Sequence, residues 1–380
     1  MNNKSNSIIK VIIVVLVLAL LGIGGYGTYT YLHREVDTTD YTVTKEEETD
    51  FEYDEEVDYE YVEDRITFSS SVEDKLSSMS NEEKVAKLFI LSTSEISNYG
   101  DINSFYDSYH ILGVLGSIDE AYTINSLNDY VSTNYGSSIL KIASDYKEVA
   151  DYYSTLSDTP MDIGTSGDDD LNREYISDIA YGLKELGYDI VLGPNCNISI
   201  SGQEYDVDSY GTDSISNSDM IETAIDTYKE NGIWVIAYTF PYISQRDTNI
   251  ETLEGEDLME FQCAIDNNVE AIMLSKAICR PVTESASLPV FMSENTSDVL
   301  RAKMGFNGVI ISPDIYDYRS TEYSYSEVCI KAINSGVDVL YNPSNFTQTY
   351  DDVLNAVNTG EISETRIDNA VGRVLTMTMD

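Results

Sequence analysis

Two carboxylates in loops that follow apolar, strand-like runs are the residues of this chain best placed to do chemistry. Asp314 stands next to last in "VIISPDI", and Glu251 lies near the end of "WVIAYTFPYISQRDTNIETL". A carboxylate at such a position can act as a base or nucleophile or, when an apolar or acidic surrounding raises its pKa, give a proton. Asp145 in "IASDYKEV" and the aromatic rings of Tyr238, Tyr242 and Tyr316 stand at comparable loop positions, where rings offer flat faces for stacking on a bound molecule. Imidazole chemistry has no obvious place. The two histidines are His33, beside an apolar N-terminal run, and His110 in "YHILGV", and neither follows a later strand. Cys196, Cys263, Cys279 and Cys329 lack CxxC spacing, which argues against zinc and for buried thiols, with two disulfides left open. "GTSGDDDLN" has the composition of a calcium loop but not the D-x-D-x-D-G spacing, and reads as the cap of a helix starting near Asn172. No metal and no cofactor is expected.

The elements that would position these residues alternate. Strand-length apolar bursts occur near Val114, Leu140, Val191, Val235, Met273, Ile310 and Leu340. Between them run amphipathic stretches such as "REYISDIAYGLKELGY", "SDMIETAIDTYKENG" and "YSEVCIKAINSG", which end at Gly as helices do. This is the pattern of a parallel sheet covered by helices. Seven visible strands predict an α/β barrel of the triosephosphate-isomerase type, (β/α)8-like, with one strand poorly marked. A doubly wound sheet is the alternative, but no G-x-G-x-x-G follows the first strand. In a barrel, function sits in the loops after the strand ends. That directs attention to Asp145, Pro194 to Asn197, Tyr238 to Glu251, Ser275-Lys276, Ser312 to Tyr316 and Asn342.

The N-terminal region is of another kind. Residues 1–10 precede an apolar run over residues 11–31, long enough at about 20 residues to cross a bilayer. Lys4 and Lys10 stand before it and acidic residues after it, so the expected topology is a single-pass anchor with its N-terminus in the cytoplasm and the rest of the chain outside the cell; a cleaved signal peptide is the rival reading. Residues 32–71 are rich in Asp, Glu, Tyr and Thr and are expected to form an extended, disordered stalk, either a spacer or a docking segment for a basic partner. Residues 72–380 form the barrel. With 67 acidic against 22 basic residues the formal charge is -45, which excludes nonspecific attraction to nucleic acid.

Several motifs, taken in order, resemble glycoside hydrolase family 3, in particular its single-domain β-N-acetylhexosaminidases acting on cell-wall amino sugars. "LSSMSNEEKVAKLFI" resembles their opening helix and "YHILGVLG" their first strand; "DIGTSGDDDLNREYISDIAYGLKELGYDIVLGPNCNIS", "LRAKMGFNGVIISPDI", "AINSGVDVLYNPSN" and "AVNTGEISETRIDNAVGRVLTM" follow in the family's order. The resemblance implies a nucleophile in an S/T-D-D-L motif, an Asp-His pair that gives the proton, and sugar grip from a K-H-F-P-G-H-G loop, a D-Q-E-G-G-R segment and an Arg in D-R-S-F-G.

This chain departs from that set at most positions. Pro313 stands where the nucleophile would be, with Asp314 one step later; strand alternation turns successive residues to opposite faces, so Asp314 needs a bulge or a shifted strand end to take the role. Tyr238 and Thr239 replace Lys-His before Phe240-Pro241, Ile243 replaces the second His, and Asn249 and Glu251 fall on the Asp-His pair. Asp145 is kept without its E-G-G-R, Asp208 stands for the Arg, and Ser275-Lys276 for a Ser-His pair. The expectation is a membrane-anchored, extracytoplasmic and catalytically impaired relative that binds cell-wall amino-sugar glycan or a protein partner. Two alternatives remain: an active β-N-acetylglucosaminidase with Asp314 and Glu251 as catalytic carboxylates and Asp145, Tyr238 and Tyr242 on the sugar, or a surface scaffold acting through its acidic stalk.

Overall fold

The computed structural model describes residues 63–144, 146–153, 159–199, 208–241, 258–316, 318–320 and 322–379. The apolar run at 11–31 and most of the acidic segment lie outside them; among the described residues no helix is long and apolar enough to cross a membrane.

Eight parallel strands close into a barrel: β1 Phe89–Ser92, β2 Gly113–Gly116, β3 Leu140–Ala143, β4 Ile190–Asn195, β5 Trp234–Phe240, β6 Ala271–Leu274, β7 Val309–Asp314 and β8 Val339–Tyr341. Closure is made by β1 against β8, with Phe89 opposite Leu340 and Ile90 opposite Tyr341. Alternation along each strand divides the apolar residues between two cores. Ile90, Leu115, Ile142, Ile190, Ile236, Met273, Ile311 and Val339 fill the barrel, while Leu91, Val114, Val191, Val235, Ile272, Ile310 and Leu340 meet the surrounding helices. The strands read as continuous apolar bursts because both faces are buried.

The seven strands visible in the sequence are β2 to β8. The eighth is β1, concealed in the segment that resembles an opening helix. There the chain forms two short helices, Ser70–Ser78 and Asn81–Ala86, the second opened by a capping box between Ser80 and Glu83, and then passes into Phe89–Ser92. No Gly or Pro marks the change, so a four-residue strand is indistinguishable by pattern from a buried helix end. The helix expected near Asn172 begins at Asp169, with Asp168 accepting the Leu171 N–H at 3.1 Å. The glycine-ended helices are as read: Gly187, Gly232 and Gly336 all take positive φ just past helix ends. All four cysteines are free thiols.

At the strand N-termini, Asp338 organises a buried ionic cluster. Its carboxylate, 0% exposed, accepts from Arg301 (2.7 Å), Arg366 (2.9 Å), Arg373 (3.0 Å) and the Ile310 N–H (3.0 Å). Burial pushes its pKa up, but the three guanidiniums outweigh that and hold it below the ordinary carboxylate value. Burial also lowers Arg301, to about 10. Glu63 joins the cluster through Arg366 and Arg373, and the Asn369 side chain clasps the Asp64 carbonyl and the Ile66 N–H, each at 2.9 Å. The chain is thereby fastened from Glu63 onward to the last helix, Glu364–Met379.

Asp338→Asn leaves three guanidiniums without their shared counter-charge and is expected to lower stability by about 3–5 kcal/mol at neutral pH, read by urea unfolding. Because the folded pKa is depressed, the carboxylate's contribution is present above the unfolded value of about 3.9 and fades as pH falls through the folded value, so wild type and variant should converge in acid.

Candidate active site at the barrel mouth

Three register irregularities lie toward the C-terminal ends of the strands: Leu192/Gly193 between β4 and β5, Tyr238/Phe240 between β5 and β6, and Ile311/Asp314 between β7 and β8. The third decides the position of Asp314. Ile311 pairs with Val339 and Asp314 with Tyr341, so three steps along β7 match two along β8. That extra residue is a bulge. In a regular strand Pro313 would follow Val309 and Ile311 into the barrel; the bulge gives that phase to Asp314, opposite the inward Tyr341.

The bulge has an identifiable clasp. The buried Ser312 hydroxyl accepts the Tyr341 N–H at 2.9 Å and donates to the Pro313 carbonyl at 2.9 Å, replacing a ladder partner with a side chain. Pro313 suits the position because it has no N–H to satisfy. Beyond it, Asp314 Oδ1 accepts the Tyr316 N–H at 2.9 Å, and the Asn342 amide lies 3.4 Å from both carboxylate oxygens. Asn342, with φ +56°, also accepts from the Ser92 hydroxyl at 3.1 Å, linking the ends of β1, β7 and β8. Oδ2 of the half-buried Asp314 thus has one long contact among the described residues and keeps lone pairs for the mouth.

Tyr341 is 91% buried, and its hydroxyl has no partner among the described residues. Burial raises its pKa, and the nearby carboxylates of Asp314 and Glu120 raise it further, so it is a neutral donor. Glu120 is held by the Ser117 N–H at 2.8 Å and by the Thr93 hydroxyl. Tyr238 packs against the barrel interior at the end of β5, where a stacking ring was expected. The β4 end braces the following peptide: the Asn197 amide lies 3.0 and 3.1 Å from the Thr239 carbonyl and N–H, and Asn195 Oδ1 accepts the Asn197 N–H at 3.0 Å. Ser275 donates to the Pro241 carbonyl at 2.9 Å, while Lys276 is exposed.

The structure therefore brings Asp314 and Tyr238 to one mouth. Glu251, Asp145 and Tyr242 lie outside the described residues. Ser92, Glu120 and Tyr341 were missed by sequence reasoning. Ser92 ends the concealed strand, Glu120 reads as an ordinary helix-start carboxylate, and Tyr341 stands inside an apolar burst with no sign of which way it points. His110 caps the helix Ile102–Tyr109 between the rings of Tyr106 and Tyr135, a packing role.

The glycosyl hydrolase family 3 N terminal domain matches residues 149–377, which is more than half of the chain. The chain belongs to glycosyl hydrolase family 3. It is similar, at 21% identity over 80% of its length, to a β-N-acetylglucosaminidase/β-glucosidase of Cellulomonas fimi, and spans 58% of that protein. Among solved structures it is similar to a family 3 β-N-acetylglucosaminidase of Paenibacillus sp. (TM-score 0.69, 21% identity, 80% of this chain and 62% of that one). It is also similar to a β-N-acetylhexosaminidase of Beutenbergia cavernae (TM-score 0.69, 17% identity, 80% and 99%). These structures share the family 3 barrel fold.

Ser312→Ala takes the acceptor from the buried Tyr341 N–H and should cost about 1–3 kcal/mol in urea unfolding. If stability stays within about 0.5 kcal/mol of wild type, the hydroxyl is not the clasp of the bulge.

Proposed function

We propose that this family 3 barrel is a retaining β-N-acetylglucosaminidase of cell-wall amino-sugar glycan, held outside the cell by an anchor at residues 11–31, with Asp314 as nucleophile. The single observation that carries the reading is the β7 bulge, which brings Asp314 into register with Tyr341. Oδ2 attacks the anomeric carbon and forms a glycosyl ester, which water then cleaves. Asn342 and the Tyr316 N–H orient the carboxylate. Tyr238 and the Tyr341 hydroxyl face the sugar, and Glu251 gives the proton to the leaving oxygen, with Asp145 and Tyr242 as further sugar contacts.

A second reading, glycan binding without turnover, is favoured by Pro313 at the usual nucleophile position and by the lack of imidazole at the mouth among the described residues. The two separate on a substrate whose leaving group needs no proton. With 2,4-dinitrophenyl β-N-acetylglucosaminide the full chain should release phenolate, and Asp314→Asn should slow release at least about a thousandfold, a loss of about 4 kcal/mol of transition-state stabilisation. Azide added to Asp314→Gly should restore release and yield the glycosyl azide of inverted anomeric configuration. Absence of phenolate release while cell-wall fragments still bind would leave the binding reading standing.

A further inference from the structure

Lysine and arginine are scarce in this chain, 22 against 67 acidic residues, yet three lysines meet in one cavity. It lies at the opposite end of the barrel from the mouth, has a volume of about 530 Å³, and is closed on one side by the end of the last helix at Val374, Leu375 and Thr378. Lys87, Lys141 and Lys184 line it, and Asp189 is the one carboxylate among its described lining residues. Lys141 lies 3.5 Å from Asp189, with its side chain largely buried. Lys87 has no ion pair among the described residues and reaches the His110 carbonyl at 3.4 Å; burial and then the charge of Lys75 lower its pKa, against an opposing effect from Glu83. With one carboxylate against three lysines, the described lining of this cavity is net positive in a strongly acidic protein.

Trp234, at the start of β5, forms part of the same wall, partly exposed, and its indole N–H has no acceptor among the described residues. Asn128 adds a polar amide. The cavity thus offers ammoniums for an oxyanion, a flat aromatic surface for a ring and donors for hydroxyls, in a volume suited to a small metabolite. None of these residues reaches the mouth, so the site is independent of the proposed reaction.

We infer that this cavity binds a small phosphorylated sugar, its phosphate held by Lys87, Lys141 and Lys184 and its ring laid against Trp234. The dianion replaces the counter-charge that Asp189 alone does not supply. Occupancy ties β2 to β5 to the last helix at the base of the barrel.

Trp234 is the single tryptophan of the chain, so its emission reports this site without a label. Glucose 6-phosphate titrated into the full-length protein should change that emission saturably, whereas glucose should bind at least about tenfold more weakly. Lys184→Gln and Lys141→Gln should each weaken binding about tenfold. Lys303→Gln, an exposed lysine remote from the cavity, should leave it unchanged. Lys184 is itself exposed, so its substitution leaves the fold intact and decides the matter should Lys141→Gln unfold. A non-saturable response, equal binding of glucose and its phosphate, or unchanged affinity in Lys184→Gln would overturn the inference.

Discussion

The hydrogen bond from the Tyr341 N–H to the Ser312 hydroxyl sets the arrangement of the barrel mouth. Parallel strands offer a side chain to the barrel interior at every second residue, and a proline at the critical position would ordinarily leave that place without a functional group. By accepting the ladder N–H with a side chain, Ser312 lets one residue leave the register, and Asp314 arrives where Pro313 would have been. The same shift sets Asp314 against Tyr341 and beneath the Asn342 amide, so a single interaction determines the placement of three mouth residues.

That local freedom is tolerable because the other end of the barrel is heavily braced. Asp338 stands just before β8, gathers three arginines, and accepts from Ile310 on the adjoining β7. Ion pairs of this kind contribute modest net stability but impose geometry, since each partner is costly to leave alone in a buried place. The strands that carry the bulge are pinned at their beginnings, and the irregularity is confined to their ends. A (β/α)8 barrel divides labour in this way, with stability at one face and chemistry at the other.

Much of this arrangement was legible in the sequence. Seven strands and the glycine-ended helices followed from apolar periodicity, because buried parallel strands and amphipathic helices leave different marks. β1 was concealed because Phe89–Ser92 follows a helix without a break, and Ser92 was lost with it. Asp314 was visible as a carboxylate, but its direction was not. Alternation alone turns it away from the interior, and only the three-against-two pairing of β7 with β8 reverses that. Tyr341 illustrates the same limit: its letter says buried aromatic, and the closeness of its hydroxyl to the Asp314 and Glu120 carboxylates depends on contacts between distant parts of the chain.

We propose that the bulge lets Asp314 serve as the nucleophile. The most direct measurement is mass spectrometry of peptides from the full chain, acid-quenched during turnover of 2,4-dinitrophenyl β-N-acetylglucosaminide. The expected result is one N-acetylhexosaminyl group on the peptide containing Asp314, as an ester that hydroxylamine removes. The same group on another carboxylate, or an unmodified chain while phenolate is being released, would contradict it.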